Sequence, residues 1–263
     1  MGKRQEMRAR RRRQQMTNRI AVIGLVIVGA LLITVALALP AINTANQRAT
    51  QQAALTVAPA TQQAALTQIP IVTITPRTFT APVNGSSVGD PDAPVKVDVW
   101  EDFQCPACKT YAEKYETLVI QNYVETGKVY YTVHFYPVIS NYSEGNTESE
   151  HSSNAALCAA DQGKFWDYHD IIFANWNGEN QGAFADYRLV AFAQAIGLDM
   201  DQWNECFTSD LHADFIAADM QTGTEWGVSG TPSVFVNGTI ISPGYIATYD
   251  QIAAAIDAIL AEK

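Results

Sequence analysis

The chain has 263 residues, 48% of them hydrophobic, enough to bury the core of one good-sized domain with accessory segments beside it. Its net charge of -10 is unevenly spread: residues 1–19 carry eight basic side chains and one acid, Glu6, a surplus of +7, so the remainder carries -17. A globular part that acidic argues against nucleic acid as a partner.

Residues 20–39 (IAVIGLVIVGALLITVALAL) contain no charge and no proline. As a helix, twenty residues rise about 30 Å, the thickness of a bilayer core, so this stretch reads as a transmembrane anchor. With the basic segment 1–19 on its N-terminal side, the positive-inside rule keeps the N-terminus in the cytoplasm and sends everything after Pro40 outside. The competing reading is a signal peptide cleaved at Ala36-Leu37-Ala38, against which the apolar run is long, since signal cores span roughly 7–15 residues. Both readings place the following domain outside the cytoplasm, with the membrane as a partner only through the N-terminal helix.

Residues 40–82 are rich in Ala, Thr and Gln, carry scattered prolines and almost no aromatics, and read as a flexible linker that cannot bury enough apolar area to offset its ordering entropy. The exception is Ile69-Pro70-Ile71-Val72-Thr73-Ile74, which suits a short strand or an edge addition. The folded domain is expected over 83–263. A turn-rich entry at 88–94 leads to a strand over 95–100, where Val95, Val97 and Val99 alternate with Lys96, Asp98 and Trp100. A helix follows from Cys105 and Lys109 to Thr126, closed by Gly127. Residues 128–138 (KVYYTVHFYPV) make a second strand.

From about 147 to 226 the pattern is helical, with candidate helices at 152–161, 164–175, 186–196, 199–207 and 211–226. Residues 233–236 and 239–241 flank Asn237-Gly238, a strong hairpin signal. Residues 249–261 form a last amphipathic helix. This order predicts an α/β fold, a central sheet with helices on both faces and a helical insertion between the second strand and the C-terminal hairpin.

The chemistry concentrates at Cys105-Pro106-Ala107-Cys108, between a strand and a helix. A helix start offers unpaired N–H groups and a positive dipole end, both of which lower the pKa of a cysteine placed there. Pro106 suits the first turn because its missing N–H is not needed. Cys105 is therefore the candidate nucleophile, and Cys108, one turn further in, should be the more buried. A structural zinc corner is the alternative, but it needs four ligands, and the other cysteines, Cys158 and Cys206, are isolated from the motif and from each other in sequence. Outside the cytoplasm these two are expected to pair across the insertion, two separate buried thiols being the alternative. The four histidines have no spacing that suggests a metal or a dyad and read as packing or surface residues. No metal and no cofactor is expected.

Three separated motifs resemble the DsbA-like branch of the thioredoxin superfamily, over about 88–263. They are Asp102-Phe103-Gln104-Cys105-Pro106-Ala107-Cys108-Lys109, then Gly230-Thr231-Pro232-Ser233-Val234-Phe235-Val236-Asn237-Gly238, then Gly163-Lys164-Phe165-Trp166-Asp167-Tyr168-His169-Asp170. The resemblance implies a thioredoxin-like fold and dithiol–disulfide exchange with exported proteins that carry cysteines. It makes Cys105 the attacking and Cys108 the resolving cysteine, Pro232 the cis-proline with Thr231 before it, and a quinone-linked membrane protein the expected re-oxidising partner. Ala107 replaces a histidine of the best-known oxidase of this type, and Pro106 and Ala107 tune the pair. The buried acid that such proteins often carry six residues before the first cysteine is Val99 here, which makes Glu101 the candidate substitute; the alternative for Glu101 and Asp102 is an exposed or helix-capping role. Two other functions fit the motifs: an isomerase or reductase of the same fold, and a tethered module that binds a metal or client proteins without turnover.

Overall fold

A computed structural model describes residues 70–242 and 245–262. The expected basic segment 1–19, the anchor 20–39 and the linker as far as residue 69 lie outside these described residues. Among the described residues no helix is long and apolar enough to cross a membrane.

The sheet has six strands: β1 Val83–Asn84, β2 Ser87–Val88, β3 Val95–Glu101, β4 Val129–Phe135, β5 Ser233–Val236 and β6 Thr239–Ile240. Their order is β1-β2-β4-β3-β5-β6. β3 and β4 run parallel, with Val99 opposite Val133 and Glu101 opposite Phe135. β5 joins the other side of β3 antiparallel. The alternation expected along β3 is present: Val95, Val97 and Val99 point into the main core, as do Val129, Tyr131, Val133 and Phe135 of β4. Trp100 faces the other way, into a smaller cluster with Tyr136, Val228 and Phe235. Fully burying each such side chain stabilises the fold by about 1.5–3 kcal/mol, which fixes the register of the two central strands.

Helix α1 runs from Pro106 to Val124 as alternating α and π turns: Pro106–Tyr111, Ala112–Glu116, Thr117–Val119 and Ile120–Val124. The helical insertion is present as α2 Glu148–Ala160, α3 Phe165–Ala174, α4 Asp186–Ala195, α5 Met200–Thr208 and α6 Ala213–Trp226, and the chain closes with α7 Tyr249–Ala261. α6 approaches β3 at Gly223, where an added Cβ would lie 2.6 Å from the indole nitrogen of Trp100. Thr248 and Gln251 form a capping box at the start of α7. In the hairpin turn Asn237 and Gly238 both take positive φ, 44° and 76°, as the Asn-Gly signal requires.

Three expectations need correction. The second strand ends at Phe135 rather than 138: Tyr136 N–H still bonds Glu101 O, the last rung of the parallel ladder, and Pro137 has no N–H to extend it. Within Ile69–Ile74 the described residues form no strand; Val72 instead trades two 2.9 Å hydrogen bonds with the Asn175 side chain. The linker expected as far as 82 is packed from residue 71 on: Ile71, Ile74, Phe79 and Ala81 lie against the core. Composition hid this because the anchoring contacts come from a few residues spaced among polar ones.

Candidate active site

The loop that delivers the cysteines is tied down from several directions. Asp102 is buried at the end of β3; its Oδ1 accepts from Gln104 N–H at 2.9 Å, and its Oδ2 accepts from the N–H groups of Val138 and Ile139, both at 2.8 Å. These bonds hold back the rise that burial gives its pKa. Asp102 therefore clamps the loop and does not cap α1. Gln104, also buried, donates to Ser149 Oγ at 2.9 Å and accepts from Asn180 N–H at 2.6 Å. Its own carbonyl accepts from the Trp176 indole at 2.7 Å. The insertion thus grips the residue just before Cys105.

Cys105 is the N-cap of α1, Pro106 is its first residue, and no side chain caps this end. The first-turn N–H groups remain available to the sulfur. Thr231-Pro232 is a cis peptide, and Thr231 O lies 3.2 Å from Cys105 Sγ. The hydrogen bond from the Cys108 thiol is the main influence lowering the Cys105 pKa to about 7; burial opposes it, and Thr231 and the N–H groups of Cys108 and Ala107 add to it. Burial pushes the Cys108 thiol well up, and the neighbouring Cys105 and Glu101 push it further. The two thiols are free and unequal. Cys105 is 6% exposed and Cys108 wholly covered, so the outer sulfur is less open than a freely exposed nucleophile. Its neighbour Pro106 is exposed, Ala107 and Thr231 are half-buried and Pro232 is buried.

Glu101 is buried, 3% exposed, which rules out the exposed alternative for it. Strand alternation carries the reason, since residue 101 shares the core face with Val95, Val97 and Val99. Burial raises its pKa, and the hydrogen bond and charge of His169 restrain the rise. His169 Nε2 is 3.4 Å from Glu101 Oε2 and 3.8 Å from Glu116 Oε1, and its Nδ1 is 3.2 Å from Asp170 Oδ1. Burial works against charge on His169, but the Glu116 carboxylate and the hydrogen bonds to Asp170 and Glu101 outweigh it and hold the ring's pKa up at about 10. Arg77 completes the group, with Nη2 2.7 Å from Glu116 Oε2 and Nε 2.7 Å from Asp170 Oδ2.

His169, Glu116, Asp170 and Arg77 were not anticipated as a group. A signal for His169 was present, because Phe165, Trp166, His169 and Phe173 recur at helical spacing and place the ring on the inward face of α3. The side chains of Glu101, Glu116 and His169 offer three donor atoms within 4.8 Å of one another, but the Arg77 guanidinium already lies against Glu116. Cys158 and Cys206, on α2 and α5, are joined as a disulfide.

A family model described as thioredoxin matches residues 80–258. The probable disulfide bond formation protein D of Bacillus cereus is 29% identical over 175 residues, covering 65% of this chain and 76% of that protein. Among solved structures, oxidised BdbD from Bacillus subtilis superposes with a TM-score of 0.59 at 20% identity, covering 70% of this chain and 97% of that one. DsbA from Chlamydia trachomatis gives 0.56 at 20% identity, covering 74% and 99%. At these identities the solved structures speak for the fold.

Proposed function

This chain belongs to the thioredoxin family and is a DsbA-like thiol-disulfide oxidoreductase, and we propose that Cys105 and Cys108 are its redox couple, oxidising cysteine pairs of exported proteins. The observation that carries this is the inequality of the two sulfurs. One stands at a helix start with a depressed pKa beside the cis Thr231-Pro232 bond; the other is sealed behind it.

In the oxidised enzyme a substrate thiolate attacks Cys105 Sγ. The Cys105–Cys108 bond breaks, and its electron pair leaves on Cys108. Burial disfavours a thiolate there, so Cys108 takes up a proton, for which Glu101 is the donor on our reading. The second substrate thiolate then attacks the substrate sulfur of the mixed disulfide, and Cys105 departs as a stabilised thiolate. The products are a substrate disulfide and a reduced enzyme. The half-buried backbone at Thr231 supplies an edge along which an extended substrate can pair.

We place the domain outside the cytoplasm, held by residues 20–39 as a membrane anchor with residues 1–19 inside. The apolar length and the basic flank support this reading, as does the Cys158–Cys206 disulfide, a bond that persists in oxidising compartments. A quinone-linked membrane protein would restore the oxidised form.

Equilibrating the protein with a glutathione buffer tests the direction. Stabilising the Cys105 thiolate stabilises the reduced enzyme, so the oxidised enzyme becomes the stronger oxidant. A potential above about -230 mV is expected; one at or below thioredoxin's, about -270 mV, would reverse the assignment to a reductase.

A further inference from the structure

Behind Cys108 lie three carboxylates, Glu101, Glu116 and Asp170, and two cationic groups, His169 and Arg77. They come from β3, α1, α3 and the segment of residues 71–81. The other titratable groups facing them are the hydroxyls of Tyr131 and Tyr111, the former 3.3 Å from Glu116 Oε1 and 3.2 Å from Tyr111 OH. With all five charged, the cluster holds one more negative than positive charge. Glu101 is where that imbalance falls, since its Oε1 is buried with no hydrogen-bond partner. A buried carboxylate with an unsatisfied oxygen is costly when ionised and is relieved by a proton.

Arg77 is the cluster's only contribution from outside the strands and helices. Its segment is bound to the domain with care. Val72 is held on both sides by Asn175, Phe79 packs on the Trp166 ring at 5.6 Å, and the Arg77 guanidinium sits 5.4 Å over the same ring. The N–H groups of Thr80 and Ala81 both reach Glu125. These contacts deliver one cation to two carboxylates.

We propose that residues 71–81 are part of the redox machinery, and that Arg77 is a positioning residue: its guanidinium fixes the charge that Glu116, His169 and Asp170 present to Glu101, and through Glu101 it governs the proton exchange of Cys108. The proposal rests on Cys105 and Cys108 being the redox couple. It concerns the closing step of the reduced enzyme. Cys105 thiolate attacks oxidised glutathione, giving a mixed disulfide and one glutathione thiolate. The Cys108 proton passes to the Glu101 carboxylate; Cys108 thiolate attacks Cys105 Sγ, and the second glutathione thiolate leaves. The dithiol loses two electrons and oxidised glutathione gains them. Closure therefore speeds up as pH rises through the ionisation of Glu101. Removing the Arg77 charge makes Glu101 ionise at higher pH, and removing the Asp170 charge makes it ionise at lower pH, because His169 keeps Glu101 and Glu116 as partners and stays charged.

The test is the pH dependence of closure in the full-length reduced protein with excess oxidised glutathione. Glu101→Gln should remove one inflection from the profile. Arg77→Met should move that inflection up by about one pH unit, slowing closure below it by up to about tenfold, and Asp170→Asn should move it down. Loosened packing would shift both variants the same way, and either that result or an unmoved inflection in both overturns the proposal. If Arg77→Met does not fold, Arg77→Lys, which keeps the charge, should leave the inflection in place while Asp170→Asn still moves it down; a shift on Arg77→Lys as large as on charge removal overturns it. Absence of any glutathione-driven closure in the unmodified protein would instead strike at the assignment of the couple itself.

Discussion

The two cysteine pairs of this chain stand at opposite ends of helices. Cys105 is the N-cap of α1, and Cys108 lies in its first turn. Cys158 and Cys206 lie in the last turns of α2 and α5, 48 residues apart and bonded with their Cα atoms at 5.8 Å. A helix start favours a thiolate, and a helix end, with its negative dipole and outward carbonyls, disfavours one. Cys105 gains further from Thr231 and the neighbouring N–H groups, whereas Cys206 lies 3.8 Å from the Asp161 carboxylate. A stabilised thiolate is a good leaving group and makes its disulfide easy to open; a disfavoured thiolate keeps its disulfide shut. The same two atoms thus become a reagent in one place and a staple in the other, according to which helix end and which charges they meet.

The most direct way to break this contrast is to remove each pair in turn. Cys105→Ser should lower the rate at which the protein oxidises a dithiol peptide by on the order of 10³-fold or more, the scale of losing a nucleophile. The joint change Cys158→Ala and Cys206→Ala should leave that rate within about twofold once the protein is folded. An equal loss in both, read by chromatography of the peptide, would mean that the pairs work as one relay.

Stability should show the reverse ranking. Without the Cys158–Cys206 bond the chain-entropy model predicts a loss of about 3–4 kcal/mol, since the bond closes a 48-residue separation. Urea unfolding of the joint variant measures it. A loss below about 1 kcal/mol would mean that the insertion is held by packing alone, through contacts such as the Trp203 indole to Ala155 O at 3.1 Å between α5 and α2.

How much of this could be read beforehand differs between the two pairs. The Cys105 site was legible because its chemistry is local: a strand, two cysteines at fixed spacing and a helix occupy one continuous stretch. The partner of Cys158 was legible only from compartment and even number, because a bond from α2 to α5 across 48 residues leaves no local trace. The charged cluster was nearly invisible. Its members are spread from residue 77 to residue 170, and only the packing of α1, α3 and the segment 71–81 around the end of β3 brings them together. Two of them still had period signals, Glu101 on the core face of β3 and His169 on the inward face of α3. Arg77 had none, since a lone arginine in a polar, proline-spotted segment looks the same whether it is solvated or anchored. The helix boundaries fared better, because the candidate insertion helices and the observed ones share their apolar faces and differ mainly in the terminal turns, where caps and frayed ends decide.

The depressed pKa of Cys105 sharpens the contrast along pH. Folding lowers it from the free-cysteine value, about 8.5, to about 7, so the reduced native protein binds fewer protons than the unfolded chain between those values. The thiolate therefore contributes stability that is complete above about pH 9 and is lost as pH falls through about 7, amounting to about 2 kcal/mol at 1.36 kcal/mol per pH unit. Unfolding of the reduced protein at pH 6 and pH 9, set against Cys105→Ser, isolates this contribution. Alkylation of Cys105 by iodoacetamide should show a midpoint near pH 7, while Cys108, raised by burial, stays unreactive there. A midpoint near that of free cysteine, about 8.5, would remove the thiolate stabilisation on which the difference between the pairs depends.

The smallest effect probes the closed pair. Asp161 is half-exposed and is held by His212 Nε2 at 2.8 Å, with its Oδ2 against the Cys206 sulfur. Opening the disulfide there would put a developing negative charge beside a carboxylate. Asp161→Asn removes that repulsion and releases His212 as a donor, and both changes ease reduction. At the scale of exposed charge pairs, about 0.2–1 kcal/mol, the Cys158–Cys206 equilibrium should move up to about fivefold toward the dithiol. The measurement requires a Cys105→Ser, Cys108→Ser background so that only one couple titrates against dithiothreitol. Movement the other way, toward a bond harder to reduce, would show that Asp161 acts by holding α2 and α5 in register rather than by its charge, and the electrostatic half of the contrast would then belong to Cys105 alone.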